Sequence, residues 1–257
     1  PSVTPVVFVN SDEETGSSDS ESWIRRLASR CNRVFVLEPA HGKEGRLKTT
    51  RKGVGLFRIT LTGRAAHAGL EPETGASAIL ELSYVIQKLD ALNSPRQGIS
   101  VNVGLVRGGS RPNVVAHESR AMVDVRVLRR RDIPAIQNAI RDLRPETPGV
   151  KLDIQGNVGR PPLENTPRNR FLWKRARAAG RDLGLELGES AAGGASDGNT
   201  TSLYTATLDG LGPVGGGAHA EHEFVFTDRL PERAALLALL LLQPPLPASV
   251  LEQDTPP

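Results

Sequence analysis

Three places in the 257-residue sequence gather side chains able to do chemistry. Asp12-Glu13-Glu14 sets three carboxylates side by side in a polar loop, Ser11 to Ser17, directly after the apolar run Val6-Val7-Phe8-Val9. Adjacent acids repel one another unless a cation or several amide N–H groups compensate. Glu38 follows a second apolar run, Val34 to Leu37, and precedes a proline. His219 ends the run Gly215-Gly216-Gly217-Ala218, where bare backbone can close tightly around a bound group. Carboxylate oxygens and imidazole nitrogens suit zinc, and a glutamate beside them can move protons. Each place also has a plain structural reading: a solvated acidic loop, a strand-end glutamate, a hydrogen-bonded histidine. Spacing along the chain leaves both open.

The elements around these residues follow from periodicity. Val6 to Asn10 reads as a core strand, and Ser18 or Asp19 can cap a helix carrying Trp23, Ile24 and Leu27. Val34 to Leu37 is a second short strand, so the order β-α-β predicts a parallel sheet, with both acidic clusters at its carboxyl edge, where open α/β sheets build their sites. Buried parallel strands need neighbours on both sides. Val6-Val7-Phe8-Val9 stands almost at the first residue, so we expect further chain upstream of Pro1. From Gly53 the pattern changes. Phe57, Ile59 and Leu61 alternate with polar or exposed positions. A helix from about Gly75 to Leu92 carries Ile79, Leu82, Ile86 and Leu89, and Ile99 to Val106 is a strand. Ala121, Val123, Val125 and Val127 alternate strictly, Asp132 can cap a helix with Ile133, Ile136, Ile140 and Leu143, and Val150, Leu152 and Ile154 end the set. That order, β-α-β-β-α-β, is the ferredoxin-like split motif. After Pro162 come a helix from Thr166 to Leu183, the loop Gly193 to Asn199, and a last helix from Leu230 to Gln243; the proline-rich tail from Pro244 is expected to fray. The fold class is therefore α/β: an incomplete catalytic domain with a parallel-type sheet (1–52 and 163–257), interrupted by an inserted ferredoxin-like α+β domain (53–162).

Composition narrows the function classes. A net charge of +3, with basic residues spread along the chain, and an aromatic content of 4% argue against a nucleic-acid binder. The apolar stretch Ala234 to Leu242 is too short to cross a bilayer. A single cysteine, Cys31, rules out an intrachain disulfide and suits a reducing compartment, so a cytoplasmic location is expected.

Eight strings occur in order along the chain: Ser-Asp-Glu-Glu-Thr-Gly-Ser (11–17), Leu-Glu-Pro (37–39), Gly-Arg-Ala-Ala-His-Ala-Gly (63–69), Gly-Gly-Ser-Arg-Pro-Asn-Val-Val (108–115), Asp-Val-Arg (124–126), Gly-Arg-Pro (159–161), Gly-Gly-Ala-Ser-Asp-Gly (193–198) and Gly-Gly-Gly-Ala-His (215–219). Together they resemble the two-zinc exopeptidases: glutamate carboxypeptidases, acetylornithine deacetylases and succinyl-diaminopimelate desuccinylases, the first most of all. The resemblance implies hydrolysis of an amide bond next to a free carboxylate. It implies Glu13 as general base, Glu14 and His219 as ligands of one zinc, and Glu38 as a ligand of a second. It implies that His67 reaches the partner subunit's site in a homodimer built on residues 53–162 and steadies the oxyanion there. Asn113 and Arg160 would hold the substrate's carboxylate, and Arg126 is a further candidate with a competing structural role as ion-pair partner of Asp124. Gly193-Gly194 and Ser196-Asp197 would shape the substrate loop. His222 and Glu223 are expected behind His219 or at the surface.

The same family carries an upstream His-x-Asp motif and a metal-bridging aspartate that have no counterpart here; His41, followed by Gly42 and Lys43, comes too late in the chain to substitute. The expectation is a truncated chain that binds metal poorly and does not catalyse. The rival expectation is a non-catalytic dimerisation or binding module.

Overall fold

The structure is a computed structural model and describes residues 3–252. In chain order its elements are α1 (Glu21–Ala28), β1 (Arg33–Phe35), β2 (Leu47–Arg51), β3 (Gly53–Thr62), α2 (Ala78–Asp90), β4 (Ser100–Gly108), β5 (Glu118–Val127), α3 (Ile133–Arg141), β6 (Lys151–Arg160), α4 (Pro167–Asp182), β7 (Glu189–Ala192), α5 (Asp197–Thr201), β8 (Ala206–Leu208), β9 (Gly215–Gly216), β10 (Phe224–Val225), α6 (Leu230–Leu242) and α7 (Ala248–Leu251). They divide into two compact units: Gly53–Pro161, and the residues up to Lys52 together with those from Pro162.

In the unit Gly53–Pro161, four antiparallel strands lie in the order β4-β5-β3-β6. Alternation decides which face is buried. Phe57, Ile59 and Leu61 of β3 stand opposite Val123, Ala121 and Ser119 of β5, and the inward residues are all excluded from solvent. Their intervening neighbours Leu56 and Arg58 face out. The helices cover the inward face through Leu82, Val85 and Leu89 of α2 and Ile136 and Ile140 of α3, giving one continuous apolar core. This is the ferredoxin-like arrangement that the β-α-β-β-α-β order predicts.

Two details differ from expectation. α2 buries Val85 in place of Ile79, because its first turn docks through the small Ala78, whose carbonyl accepts the Ser119 hydroxyl at 2.8 Å; Ile79 is left 47% exposed beside Gly108 of β4. Asp132 stands at the N-cap of α3 but makes no side-chain cap bond, since a 3-10 turn, Arg130–Asp132, already carries the backbone into helical angles.

In the other unit β1 pairs with β8 and β2 with β7, both parallel. α4 and α6 pack together, and Leu47, Leu172, Trp173, Ala176, Leu208, Leu236 and Leu240 form the core. Thr166 caps α4 by accepting from the Asn169 N–H. The strand expected over Val6–Asn10 is not formed: no described strand pairs with this segment, and Val7 and Val9 are each 85% exposed. A strand buried on neither side has nothing to hold its apolar run. α1 begins at Glu21 after Ser20, not at Ser18 or Asp19, and its Trp23 lies outside the core under the Arg26 guanidinium. The tail is tied down further than predicted. Leu246 and Val250 are buried, the Arg33 guanidinium donates to the carbonyls of Gln243 and Pro244, and α7 packs on α4. The tail beyond Glu252, like Pro1 and Ser2 at the start, lies outside the described residues. Among the described residues no helix is long and apolar enough to cross a membrane.

Candidate active site

The acidic loop is set by local backbone chemistry. Glu13–Thr15 form one 3-10 turn, closed by Gly16 at φ 101° and Ser17 at φ 58°. Asp12 compensates its own charge with amides: its carboxylate accepts from the N–H groups of Asp19 (2.9 Å) and Ser20 (3.0 Å). Hydrogen bonds from the Ser20 side chain and these amides hold Asp12 below the ordinary carboxylate value. The loop is also anchored across the unit. The Ser17 hydroxyl (2.5 Å) and the Asn10 amide (2.9 Å) both donate to the carboxylate of Asp197, the first residue of α5. What remains turned outward is Glu14, exposed, with Glu13 half-buried beside it.

His219 reaches the same place from the far end of the sequence. β9 and β10 pair antiparallel, and the connecting turn holds His219 in the left-handed region at φ 63°. Its Nε2 lies 3.9 Å from Oε2 of Glu14, with both side chains largely in solvent. His222 and Glu223 of the same turn are exposed.

Glu38 stands beyond the carboxyl end of β1. Gly212 makes this possible: its N–H donates to the Glu38 carbonyl, and a Cβ there would lie 2.2 Å from the Leu37 oxygen. One carboxylate oxygen of Glu38 accepts from the Arg51 guanidinium at 3.1 Å. Arg51, the last residue of β2, is only 3% exposed. Its Nε and Nη2 engage the fully buried Asp209 beyond β8, at 2.7 and 3.3 Å, and its Nη1 donates to the carbonyls of Gly194 and Ala195 beyond β7. The carboxyl ends of all four parallel strands therefore converge on one guanidinium. Lys48 lies in the same cluster; burial lowers its ammonium affinity for a proton, and the Arg51 charge adds to the effect.

Ser196, expected to shape the substrate loop, is fully buried. Its hydroxyl donates to Asp209 at 2.5 Å and accepts the Gly198 N–H as the cap of α5, while the Ser196 N–H donates to the Asn199 side-chain oxygen. Its observed contacts hold the loop in place. Gly194 keeps its Cα open to solvent while its carbonyl is held by Arg51.

In the unit Gly53–Pro161, the segment carrying His67 pairs with the loop between β4 and β5: Ala68 donates to the Asn113 carbonyl and Val115 to the Ala66 carbonyl. His67 and Asn113 are thus brought side by side, both exposed. The Gly69 N–H donates to Nδ1 of His67 at 3.1 Å. In the neutral ring this places the proton on Nε2, which becomes an outward donor. Arg160 ends β6 opposite Val54. Arg126 is bidentate to Asp124 at 2.7 and 2.8 Å, so its fork is filled by the carboxylate two residues before it.

The donors suit a divalent cation in kind. Glu14 and His219 converge, and the second oxygen of Glu38 accepts no hydrogen bond from a described residue. Among the described residues, no three histidine, cysteine, aspartate or glutamate side chains come together as a metal-binding group. This chain supplies a pair and a separate carboxylate. The residues that sequence reasoning passed over are Arg51 and Asp209. Both read as ordinary strand-end charges, and only the facing of β2 and β8 joins them.

Residues 49–149 match the family described as the peptidase dimerisation domain of M20 type. The chain is 26% identical to carboxypeptidase G2 of Pseudomonas sp. strain RS-16, over 93% of this chain and 59% of that one. It is 27% identical to acetylornithine deacetylase of Myxococcus xanthus over 55% of this chain and 39% of the relative. It thus spans about three-fifths or less of the length of these relatives. In fold it is similar to the aminopeptidase PepT of Bacillus cereus, with a TM-score of 0.73 at 22% identity over 89% of this chain and 61% of the other. The chain is thus similar to a carboxypeptidase and an acetylornithine deacetylase, and its residues 49–149 match a peptidase dimerisation domain of M20 type.

Proposed function

We propose that the chain is part of a hydrolase that cleaves an amide bond next to a free carboxylate, in a carboxypeptidase or an N-acyl amino acid deacylase. The observation that carries this is the meeting of Glu14 and His219, from opposite ends of the sequence, at 3.9 Å and beside Glu13. A scaffold has no physical need to hold an exposed carboxylate and an imidazole together on loops anchored by buried bonds. Glu14 and His219 would hold one divalent ion, zinc in the first instance, and Glu38 would contribute to a second; such ions supply Lewis-acid polarisation of the scissile carbonyl.

The chain's own residues supply the rest. Glu13 takes the proton of the attacking water and passes it to the leaving nitrogen, which requires a carboxylate within hydrogen-bond reach of both. His67, with its proton fixed on Nε2 by Gly69, donates to the developing oxyanion in the partner subunit, a contribution worth about 3–4 kcal/mol per donor in comparable sites. Arg160 and Asn113 hold the substrate carboxylate, for which a planar guanidinium offers two parallel donors. The test is zinc or cobalt(II) titration of the purified chain, paired with a carboxylate-bearing amide substrate. Metal binding lost in both Glu14→Gln and His219→Ala supports the site; binding unchanged in both sinks it.

We also infer a homodimer through the unit Gly53–Pro161. β4 is an edge strand, and Leu105 and Val106 on it are 67% and 56% exposed; the exposed Ile79 of α2 lies beside Gly108 at its end. An unpaired apolar edge of this kind is satisfied by a second copy.

A further inference from the structure

We propose that the open face of the four-stranded sheet in the unit Gly53–Pro161 is an interaction surface for an extended acidic peptide segment of another protein, held by Arg58, Arg107 and Arg120. The proposal stands apart from the metal-binding reading of the other unit.

The alternation that buries one face of the sheet assigns these side chains to the other. Phe57 and Ile59 of β3 and Ala121 of β5 turn toward the helices, so Arg58 and Arg120 turn away from them; both are exposed, as is Arg107 of β4. The register then brings like charges together. Arg107 stands directly opposite Arg120, and Arg120 opposite Thr60 of β3, one step along the face from the pair Arg58 and Met122. Cβ atoms directly opposite lie about 5 Å apart and diagonal ones about 7–8 Å, and like charges set directly opposite destabilise a sheet. Local relief is partial. Glu118 pairs with Arg120, whereas Arg58 and Arg107 have no ion-pair partner among the described residues. Asp153 of β6, opposite Thr60, accepts from the Gln155 amide. The unit as a whole shares the excess: Gly53–Pro161 carries fifteen Lys and Arg against ten Asp and Glu, while the rest of the chain has seventeen against nineteen.

Spacing selects the partner. In an extended chain, side chains two residues apart stand about 6.7 Å apart on one side, close to the diagonal from Arg120 to Arg58. One carboxylate can bridge Arg107 and Arg120 while the next reaches Arg58, and a guanidinium offers each of them paired donors. A single small anion spans only part of this cluster. Leu105 opposite Met122 gives the methylene stems of acidic side chains an apolar floor. Nucleic acid is disfavoured, because bases bind such faces by stacking on aromatic rings, and Phe57, the only aromatic residue of the four strands, is turned into the core. The surface is the flat of the sheet, so pairing at the β4 edge leaves it accessible.

The test is fluorescence anisotropy of the full chain with a labelled peptide of alternating glutamate and threonine, acetylated and amidated so that it bears no terminal carboxylate, at low salt. The wild-type chain is expected to bind it. Arg58→Gln, Arg107→Gln and Arg120→Gln combined are expected to weaken binding at least about tenfold, as the loss of three exposed charge pairs would. Arg129→Gln with Arg131→Gln, in the exposed loop before α3, should stay within about twofold of wild type. Equal losses in the two variants would mean attraction to net charge alone and overturn the proposal. So would no binding by the wild-type chain, or tighter binding of an oligothymidylate of equal charge. An altered oligomeric state in the triple variant would make a second copy the occupant and overturn it as well. The triple variant should melt no lower than wild type, since its repulsion is relieved; a clear drop would mark the cluster as structural and overturn the proposal. Should the triple variant fail to fold, Arg107→Gln is compared with Arg129→Gln: a loss of about threefold in the first alone supports the surface, and equal affinities overturn it.

Discussion

Nε2 of His219 lies 3.9 Å from Oε2 of Glu14, although a whole inserted unit separates the two residues in sequence. Both side chains are solvent-exposed, so their approach is not an incidental product of core packing. Hydrogen bonds from Ser17 and Asn10 to Asp197 on one side, and the β9–β10 turn on the other, hold it in place. The pair should bind a divalent ion with modest affinity. We expect His219→Ala and Glu14→Gln each to weaken zinc binding at least tenfold while leaving the melting temperature of the metal-free chain within a degree or two, since exposed side chains contribute little to stability. Calorimetric titration and thermal melts in chelator check both halves.

Asp209 carries the opposite expectation. Its carboxylate is wholly buried and answers four donors from three residues, so Asp209→Ala strands the Arg51 guanidinium in the interior. Breaking a buried pair from one side costs about 3–5 kcal/mol. Urea unfolding of the variant should show a loss of that size, and a loss under 1 kcal/mol would contradict the structure of the cluster.

Glu81 offers a pH test in the inserted unit. Burial pushes its pKa up, but hydrogen bonds from Thr147 and the Glu146 N–H, with Lys88 nearby, outweigh that and leave it below the ordinary 4.5. A folded-state pKa below the unfolded one adds stability above the unfolded value, and this is lost as pH falls through the folded value. Glu81→Gln should therefore destabilise the unit by about 1.5–3 kcal/mol at neutral pH, from loss of bonds to a charged acceptor. The gap to wild type should narrow as pH drops below 4.5. A gap that stays constant across that range would show that the charge is not involved.

The exposed edge of β4 predicts the state of assembly. Leu105→Asp places a charge on the exposed apolar edge strand β4 and should convert a dimer to a monomer in sedimentation or light scattering. The fold should be unaffected, because Leu105 is already exposed in a single chain. A dimer that survives Leu105→Asp and Val106→Asp together would place the interface elsewhere.

Much of this protein could be read from sequence alone, where the determinant is local. Strict alternation at Ala121, Val123, Val125 and Val127 fixes which face of β5 is buried, whatever the partner strand. Thr166 ahead of Pro167 marks the start of α4 because a capping hydroxyl needs only the next turn. The order of strands and helices from Gly53 to Pro161 specifies the ferredoxin-like topology, since short right-handed connections leave few alternatives. The residue types at Glu14, Glu38 and His219 suit a divalent cation, and only the family resemblance added roles for Glu13 and His67.

Tertiary structure decided what depends on distant partners. Val6–Val9 has the composition of a core strand, yet composition cannot supply the neighbours a strand needs, and it lies exposed. Ser196 stands out in sequence only as part of a glycine-rich loop, and burial against Asp209 is what occupies both its donor and its acceptor. Ile79 and Val85 flank the Leu82–Leu89 stripe on opposite sides, about 120° apart, and only the docking of Ala78 on Ser119 chose between them. Arg51 and Asp209 carry no sequence signal at all. Buried charges are tolerated only when the fold brings their partners to them, and that convergence of four strand ends exists only in three dimensions.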